Sequence, residues 1–318
     1  MTAGKVAITD CDHISMDEEK EVFSNAGVDM VLYQCKTEDD LISAIQEYEI
    51  TGNQYAPFTE RVFSALKNLK VVVRYGVGVN NIDVKAASRH GVRVCNVPDY
   101  GIQEVSAHAL TLMMALTRKL LLTDRSIHRG EWNYEVSIPI SRYSEQTIGI
   151  IGLGRIGKNF ARLVRPFDGR IVACDPLYPK KAPQDFSFVK MTDLDELLET
   201  ADVISIHCPL ETAFHLIGKS QLRMMKKSAF LINVSRGGIV DESALEEALE
   251  EKWIAGAACD VLEQEPPRGM HPLLKYENFI CTPHVAWYSV QSSRDLKRKL
   301  AEEMVRYLDG QPLRNALN

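Results

Sequence analysis

The sequence has no apolar run long enough to cross a membrane. Its longest nearly apolar stretch, residues 107–116, falls far short of the ~18 residues a spanning helix needs. No secretory apolar region precedes the strand-like Val6-Ala7-Ile8, so a soluble chain is expected. Basic charge is not in surplus: 37 Lys and Arg stand against 43 Asp and Glu, a net charge of -6. Binding to nucleic acid draws mostly on phosphate neutralisation, so no nucleic-acid partner is expected. There is no Cys-x-x-Cys pair among the seven cysteines at 11, 35, 95, 174, 208, 259 and 281. Several lie inside apolar runs, where cysteine acts as a small hydrophobe. A disulfide scaffold and a zinc ribbon are disfavoured on that ground, no metal site is expected, and a reducing, cytoplasmic setting is. Low-complexity linkers and solenoid repeats are absent too. What remains is an ordinary globular composition, 45% hydrophobic and 25% charged over 318 residues, enough for two domains.

Short β-branched runs alternate with helix-period stretches, the pattern of parallel sheets built from βαβ units. Strands are expected at 70–73, 93–97, 148–151, 171–174, 203–207, 230–234, 255–259 and 279–282. In residues 158–167, Phe160, Leu163, Val164 and Phe167 fall on one helical face. Asp241 is placed as the N-cap of the helix that buries Leu245, Ala248 and Leu249, and Thr192-x-x-Asp195 as a weak capping box. A long helical stretch is expected over 102–129. The helix at 292–308 follows the last strand and is expected to return to the first unit.

Gly152-Leu-Gly154-Arg-Ile-Gly157 lies directly after a strand and directly before a helix, and the next strand ends at Asp175. That context is the dinucleotide-binding fingerprint. Gly152 permits the tight turn, Gly154 the approach of backbone to pyrophosphate, and Gly157 close helix–strand packing. The helix N-terminus offers N–H groups to the phosphates. Asp175 would accept from ribose hydroxyls and repel a 2′-phosphate, which favours NAD over NADP. Later polar clusters also follow strand ends: His207-Cys208-Pro209-Leu210, Ser235-Arg236-Gly237-Gly238, Asp260 and Pro283-His284. In open α/β sheets that edge is where ligands bind.

Arg236, Glu265 and His284 form the chemical constellation. Removing a hydride from a secondary alcohol, or delivering one to a ketone, needs a cation for the substrate's carboxylate, an acid/base and an orienting carboxylate. Arg, His and Glu supply them in turn. His108 is assigned to packing or a supporting role. Tyr75, Tyr100, Trp287 and Tyr288 are candidates for lining a substrate pocket and, as aromatics, equally for the core.

These motifs, with Arg74-Tyr-Gly-Val-Gly-Val-Asn-Asn-Ile-Asp83 and Asn233-Val-Ser-Arg-Gly-Gly-Ile-Val-Asp241, resemble the D-isomer-specific 2-hydroxy acid dehydrogenases over almost the whole chain. The resemblance implies a Rossmann nucleotide-binding domain, residues 98–288, inserted into a flavodoxin-like substrate domain made of 1–97 and 289–318. It implies a homodimer through the inserted domain. It also implies that Arg236 binds the substrate carboxylate, Glu265 orients the acid/base His284, and the Gly76-Val77-Gly78 amides grip the carboxylate. Arg155 and Ile156 match pyrophosphate contacts, and Asp260 and the Val234 carbonyl match positions that hold the nicotinamide carboxamide.

Departures bear on the substrate. The family's phosphoglycerate enzymes often carry an Arg-Ser-x-Thr stretch near the end of their second strand, and here the segment 50–59 lacks that Arg. The sequence also stops at Asn318, leaving no room for an amino-acid-sensing domain, so serine-controlled phosphoglycerate oxidation is not expected. Glu265 in place of Gln argues against the formate-oxidising branch. Pro283-His284-Val-Ala-Trp287-Tyr-Ser289 is similar to the C-terminal binding protein corepressors. The alternative implied is an NAD(H)-sensing binding module with little catalysis. The intact Arg–Glu–His set favours the enzyme.

Overall fold

The computed structural model describes residues 4–318. It separates into two compact units: the chain through Gly101 together with Ser289–Asn318, and Ile102–Tyr288.

The first unit holds five parallel strands: β1 (Lys5–Ile8), β2 (Asp29–Leu32), β3 (Ile50–Asn53), β4 (Val71–Arg74) and β5 (Arg93–Cys95). Their order is β2-β1-β3-β4-β5, the flavodoxin-like arrangement. The segment 50–59, without the second-strand Arg, therefore begins as the third strand in chain order. β1, β3 and β4 are central, and their Val6, Ala7, Ile8 and Val71 to Val73 are almost wholly buried. The helix Val290–Leu308 belongs to this unit and packs on β3 and on the helix Asp17–Asn25. Ser289 caps it, accepting from Ser292 N–H at 2.9 Å. Leu296, Leu300 and Met304, four residues apart, form its buried stripe.

The second unit holds β6 (Thr147–Ile151), β7 (Arg170–Cys174), β8 (Val189–Met191), β9 (Val203–Ile206), β10 (Phe230–Asn233), β11 (Gly256–Cys259) and β12 (Phe279–Cys281). All are parallel, in the order β12-β11-β10-β9-β6-β7-β8. Strand order reverses between β6 and β9, which makes a switch-point crevice at the carboxyl end of β6. Helices cover both faces. Leu197, Leu222, Leu245 and Leu249 pack on one side, and Leu112, Met113, Phe160 and Phe186 on the other.

The structure corrects two expectations here. The stretch 102–129 is two helices, Ile102–Thr117 and Leu120–His128, bent by 58°. Lys119 between them adopts φ 52°, left-handed geometry that ends the first helix without a Gly or Pro to announce it. The cap before the Leu194–Thr200 helix is Asp193, which accepts from Glu196 N–H, while Thr192 donates its hydroxyl to the Glu196 carboxylate. Asp241 caps the helix Glu242–Glu250 and accepts from Ala244 N–H.

Candidate active site

The glycine turn shows three glycines with three different steric reasons. Gly152 has φ 92°, and a Cβ there would lie 2.8 Å from the Cys208 amide nitrogen. A Cβ on Gly157 would lie 2.0 Å from the Gly152 carbonyl oxygen, so helix and strand meet backbone to backbone. At Gly154 a Cβ would touch nothing within 4 Å, because that residue faces open space at the helix N-terminus. The helix Arg155–Val164 has no side-chain cap, and its first internal bond runs from Lys158 N–H to Gly154 C=O. The N–H groups of Arg155, Ile156 and Gly157 therefore have no partner inside the helix, and they carry the positive end of its dipole. Arg155 itself is exposed. A pyrophosphate fits this cradle.

Asp175, at the end of β7, is 9% exposed. Its Oδ2 accepts from Leu153 N–H at 2.6 Å and its Oδ1 from Leu177 N–H at 2.8 Å. It thus braces the glycine turn as well as presenting an anion at the crevice. His207, expected at the cofactor, follows β9. Burial holds its imidazole down to a pKa of about 3, so the ring is neutral. The ring lies 5.1 Å from that of Phe160, with Nε2 2.9 Å from Ser205 Oγ. What His207 and Cys208 present to the turn is backbone. Burial pushes the Cys208 thiol up to about 11, so it is a packing group and not a nucleophile. Pro209 is exposed and Val234 is buried.

Beyond β10, β11 and β12 lie the three chemical residues. His284 Nδ1 is 2.6 Å from Glu265 Oε2, with both side chains about two-fifths exposed or slightly less. The other carboxylate oxygen of Glu265 accepts from Leu262 N–H at 2.8 Å, which fixes the carboxylate plane. Burial pushes the Glu265 carboxyl upward, but the His284 bond and charge, the Leu262 amide and the nearby Arg236 outweigh it. The carboxyl ends below its ordinary range. Arg236 follows β10 in a turn shaped by Asn233, whose Nδ2 donates to the Arg236 carbonyl at 2.8 Å and whose Oδ1 accepts from Ser235 N–H at 3.1 Å. The guanidinium donates to the Ser235 carbonyl at 2.7 Å.

Asp260 has a task that the sequence reading missed. It is 1% exposed, and its Oδ1 accepts from Thr282 Oγ at 2.5 Å and from Val285 N–H at 2.9 Å. Its Oδ2 accepts from Ala286 N–H at 2.9 Å. These bonds clamp the residues on either side of His284, whose φ of 51° is left-handed and strained for a non-glycine residue. His108 joins the clamp, with Nε2 3.0 Å from Thr282 Oγ, a supporting role. The signal available in the sequence was only that Asp260 ends an apolar strand.

In the first unit the Gly76-Val77-Gly78 turn follows β4. Gly76 has φ 125°, and a Cβ on it would lie 2.1 Å from an Arg74 guanidinium nitrogen and 3.5 Å from the Tyr100 hydroxyl. Asn96 Nδ2 donates to the Val77 carbonyl and Val97 N–H to that of Gly76. The turn's carbonyls are thus engaged by the protein. Tyr75 is 2% exposed and its hydroxyl donates to buried Glu19 at 2.9 Å, so its ring packs beneath the turn. Tyr100 is half-buried at the turn. Trp287, in the second unit, is half-buried and packs edge-on against Tyr288. Among the described residues no His, Cys, Asp and Glu cluster could hold a metal ion, and no single helix is long and apolar enough to cross a membrane.

Residues 110–286 match the family model described as D-isomer specific 2-hydroxyacid dehydrogenase, NAD binding domain. The chain is 36% identical over 304 residues to a D-3-phosphoglycerate dehydrogenase of Archaeoglobus fulgidus, covering 95% of this chain and 57% of that protein. It therefore spans little more than half the length of that relative. It is 38% identical over 267 residues to a glyoxylate reductase of Korarchaeum cryptofilum, covering 82% of this chain and 80% of the other. Among solved structures it is similar to an acyclic imino acid reductase in complex with NADPH and D-Arg. There the TM-score is 0.88 at 26% identity, over 99% of this chain and 100% of that one.

Proposed function

Because the chain belongs to the D-isomer specific 2-hydroxyacid dehydrogenase family, we propose that it is an NAD-dependent oxidoreductase interconverting a 2-keto acid and a D-2-hydroxy acid. The observation that carries the reading is the 2.6 Å contact of His284 Nδ1 with Glu265 beside Arg236. When bound, the nicotinamide coenzyme supplies or accepts the hydride at C2. The protein does the rest. Arg236 holds the substrate carboxylate with its planar fork and polarises the neighbouring carbonyl. With Nδ1 tied to Glu265, His284 presents Nε2 to the substrate oxygen, giving a proton in reduction and taking it in oxidation. Anionic Glu265 stabilises the imidazolium that forms on oxidation and keeps the ring from turning. Asp260 keeps the His284 backbone in place. The Gly76, Val77 and Gly78 amides of the first unit are an anion-binding element of the same chemistry. Trp287 is assigned to the substrate's side chain.

A panel of 2-keto acids (glyoxylate, pyruvate, hydroxypyruvate, phenylpyruvate, 4-methyl-2-oxopentanoate and 3-phosphohydroxypyruvate) tests the proposal by NADH oxidation. Turnover of at least one, with the D-hydroxy acid as product, is the expected result; inertness towards all of them, despite NADH binding, would sink it. The corepressor-type sensor finds no support in the relatives' names. Run with NADPH, the same panel is expected to be slower by roughly a hundredfold or more. Asp175 sets the 2′-phosphate beside a like charge, a juxtaposition that costs several kcal/mol.

We further propose a homodimer formed through the second unit. Its two N-terminal helices expose Met114, Leu120, Leu121 and Ile127, and the segment after them exposes Trp132 and Tyr134. An apolar cleft of about 650 Å³, lined by Ala115, Leu122, Phe230, Ile254 and Ile280 among others, opens on the same helices. Exposed apolar area of this extent marks an interaction site. Sedimentation is expected to give a dimer, and Leu120→Glu a shift towards monomer; a wild-type monomer at micromolar concentration would refute the assignment. A cytoplasmic location fits the seven free thiols.

A further inference from the structure

Four side chains near the catalytic loop take no part in the mechanism above. Glu263 and Glu242 exchange bonds. Glu263 N–H donates to Glu242 Oε1 at 2.7 Å, and Glu242 N–H donates to Glu263 Oε1 at 3.3 Å. Each carboxylate also meets a histidine. His271 Nε2 is 3.0 Å from Glu242 Oε2, and His215 Nε2 is 3.2 Å from Glu263 Oε1. The Nδ1 of His271 accepts from Leu273 N–H at 3.4 Å, so its Nε2 is the donor. Glu242 and His271 have side chains only 18% and 15% exposed, so their contact is screened far less than a surface pair.

The location matters more than the bonds. Glu263 is two residues before Glu265 and directly after Leu262, whose N–H fixes the Glu265 carboxylate. Glu242 is the first residue of a helix that begins six residues after Arg236. Between them the Arg236 turn lies against the loop with no slack, since a Cβ on Gly237 would sit 1.8 Å from the Leu262 carbonyl. His215 is tied to the same turn, its N–H donating to the Gly238 carbonyl at 2.7 Å. Three segments, the one at His215, the one running from Arg236 to the helix start at Glu242, and the loop carrying Glu265, are stapled at one point.

We propose that the reciprocal Glu242–Glu263 bridge, steadied by His271 and His215, is a positioning clasp. It sets where Glu265, and through it the imidazole of His284, stands relative to Arg236. This rests on the dehydrogenase reading of those three residues. Neither glutamate touches substrate; both act through the loop. Breaking the clasp lets the 262–265 loop shift, and a displacement of ~1 Å at a reacting group can cost about a hundredfold in rate.

The test uses the whole protein and the best substrate of the keto-acid panel. Glu242→Ala is expected to lower kcat by about ten- to a hundredfold, while NADH affinity stays within about twofold, because the glycine turn is untouched. Glu242→Gln keeps the oxygen that accepts from Glu263 N–H, and is expected to recover most of the loss. Glu263→Ala, on the exposed loop, removes the other arm without risk to the core and is expected to show the same split. In a His284→Ala background, Glu242→Ala is expected to cost little more, because the group it positions is gone. Retention of kcat within about twofold in both alanine variants overturns the clasp. So does an equal loss in the two backgrounds, or loss of rate together with NADH affinity and thermal stability. If His284→Ala alone leaves turnover intact, the reading beneath the clasp has failed first, and the clasp has nothing to position.

Discussion

His284→Ala is expected to lower kcat by about 10²–10⁴-fold, the range that a positioned general acid or base contributes. The loss falls on kcat and on kcat/KM together, because the proton is transferred only as C2 changes hybridisation, and ground-state binding does not depend on it. NADH affinity is expected to hold, since the glycine turn and Asp175 owe nothing to His284. Glu265→Gln gives the informative contrast. Its amide can still bond to the imidazole but carries no charge, so the ring stays oriented while the imidazolium loses its partner. Wild-type stability carries a signature of the same pair. The folded-state pKa of Glu265 lies below the usual carboxylate value, so its contribution is complete above that value and disappears as pH falls through the folded one. The difference in stability between wild type and Glu265→Gln should therefore shrink in acid. Near-normal turnover by His284→Ala would remove the acid/base assignment outright.

Arg236→Ala is expected to cost kcat/KM for the keto acid about thirty- to several-thousand-fold, from the ~2–5 kcal/mol lost when one partner of a hydrogen-bonded charge pair is truncated. Unlike His284→Ala, it should raise KM as well as lower kcat, because the carboxylate is bound before and during reaction. Arg236→Lys keeps the charge but replaces a two-pronged donor with a point charge, and should recover only part of the loss. Removing Arg236 also removes one of the influences that hold the Glu265 carboxyl low, so that carboxyl should move upward. A variant whose KM for the keto acid is unchanged would show that the guanidinium serves another group.

The parts of this molecule legible in the sequence were those where one local signal suffices. The strand–glycine–helix unit at Gly152 reads directly, because each glycine answers a separate steric demand within six residues. Arg236, Glu265 and His284 stood out because each follows a strand of one parallel sheet, and the structure brings Glu265 and His284 into contact. β3 was not read as a strand. Its Ile-Thr-Gly-Asn sequence looks like a turn, yet Gly52 is there because a Cβ would come within 2.6 Å of Ile8 Cδ1. β8 escaped notice because an edge strand of three residues has no periodicity to detect. The break at Lys119 gave no warning, since a single left-handed lysine leaves the apolar pattern intact on both sides. The inward facing of the Tyr75 and His207 rings could not be read from the sequence, because an aromatic or polar ring beside a turn can equally face inward and brace it. The clamp made by Asp260 and the Glu242–Glu263 pair lay beyond reach because the bonded residues sit more than twenty positions apart, at distances set by tertiary packing alone.

The first unit is assembled from two stretches of chain separated by the whole of the second, and its helix Val290–Leu308 is translated only after the second unit is complete. A nascent chain on the ribosome therefore carries β1 to β5 without the Leu296, Leu300 and Met304 stripe that covers them, while residues 102–288 already have every strand of their own sheet. Domains fold as units during synthesis, at about 5–20 residues per second. The inserted nucleotide-binding unit is accordingly positioned to mature ahead of the one that precedes it, and the amino-terminal sheet waits with apolar surface uncovered. Chaperone dependence of biogenesis should concentrate in that interval, so that truncation just before Ser289 produces a polypeptide prone to aggregate through its own beginning.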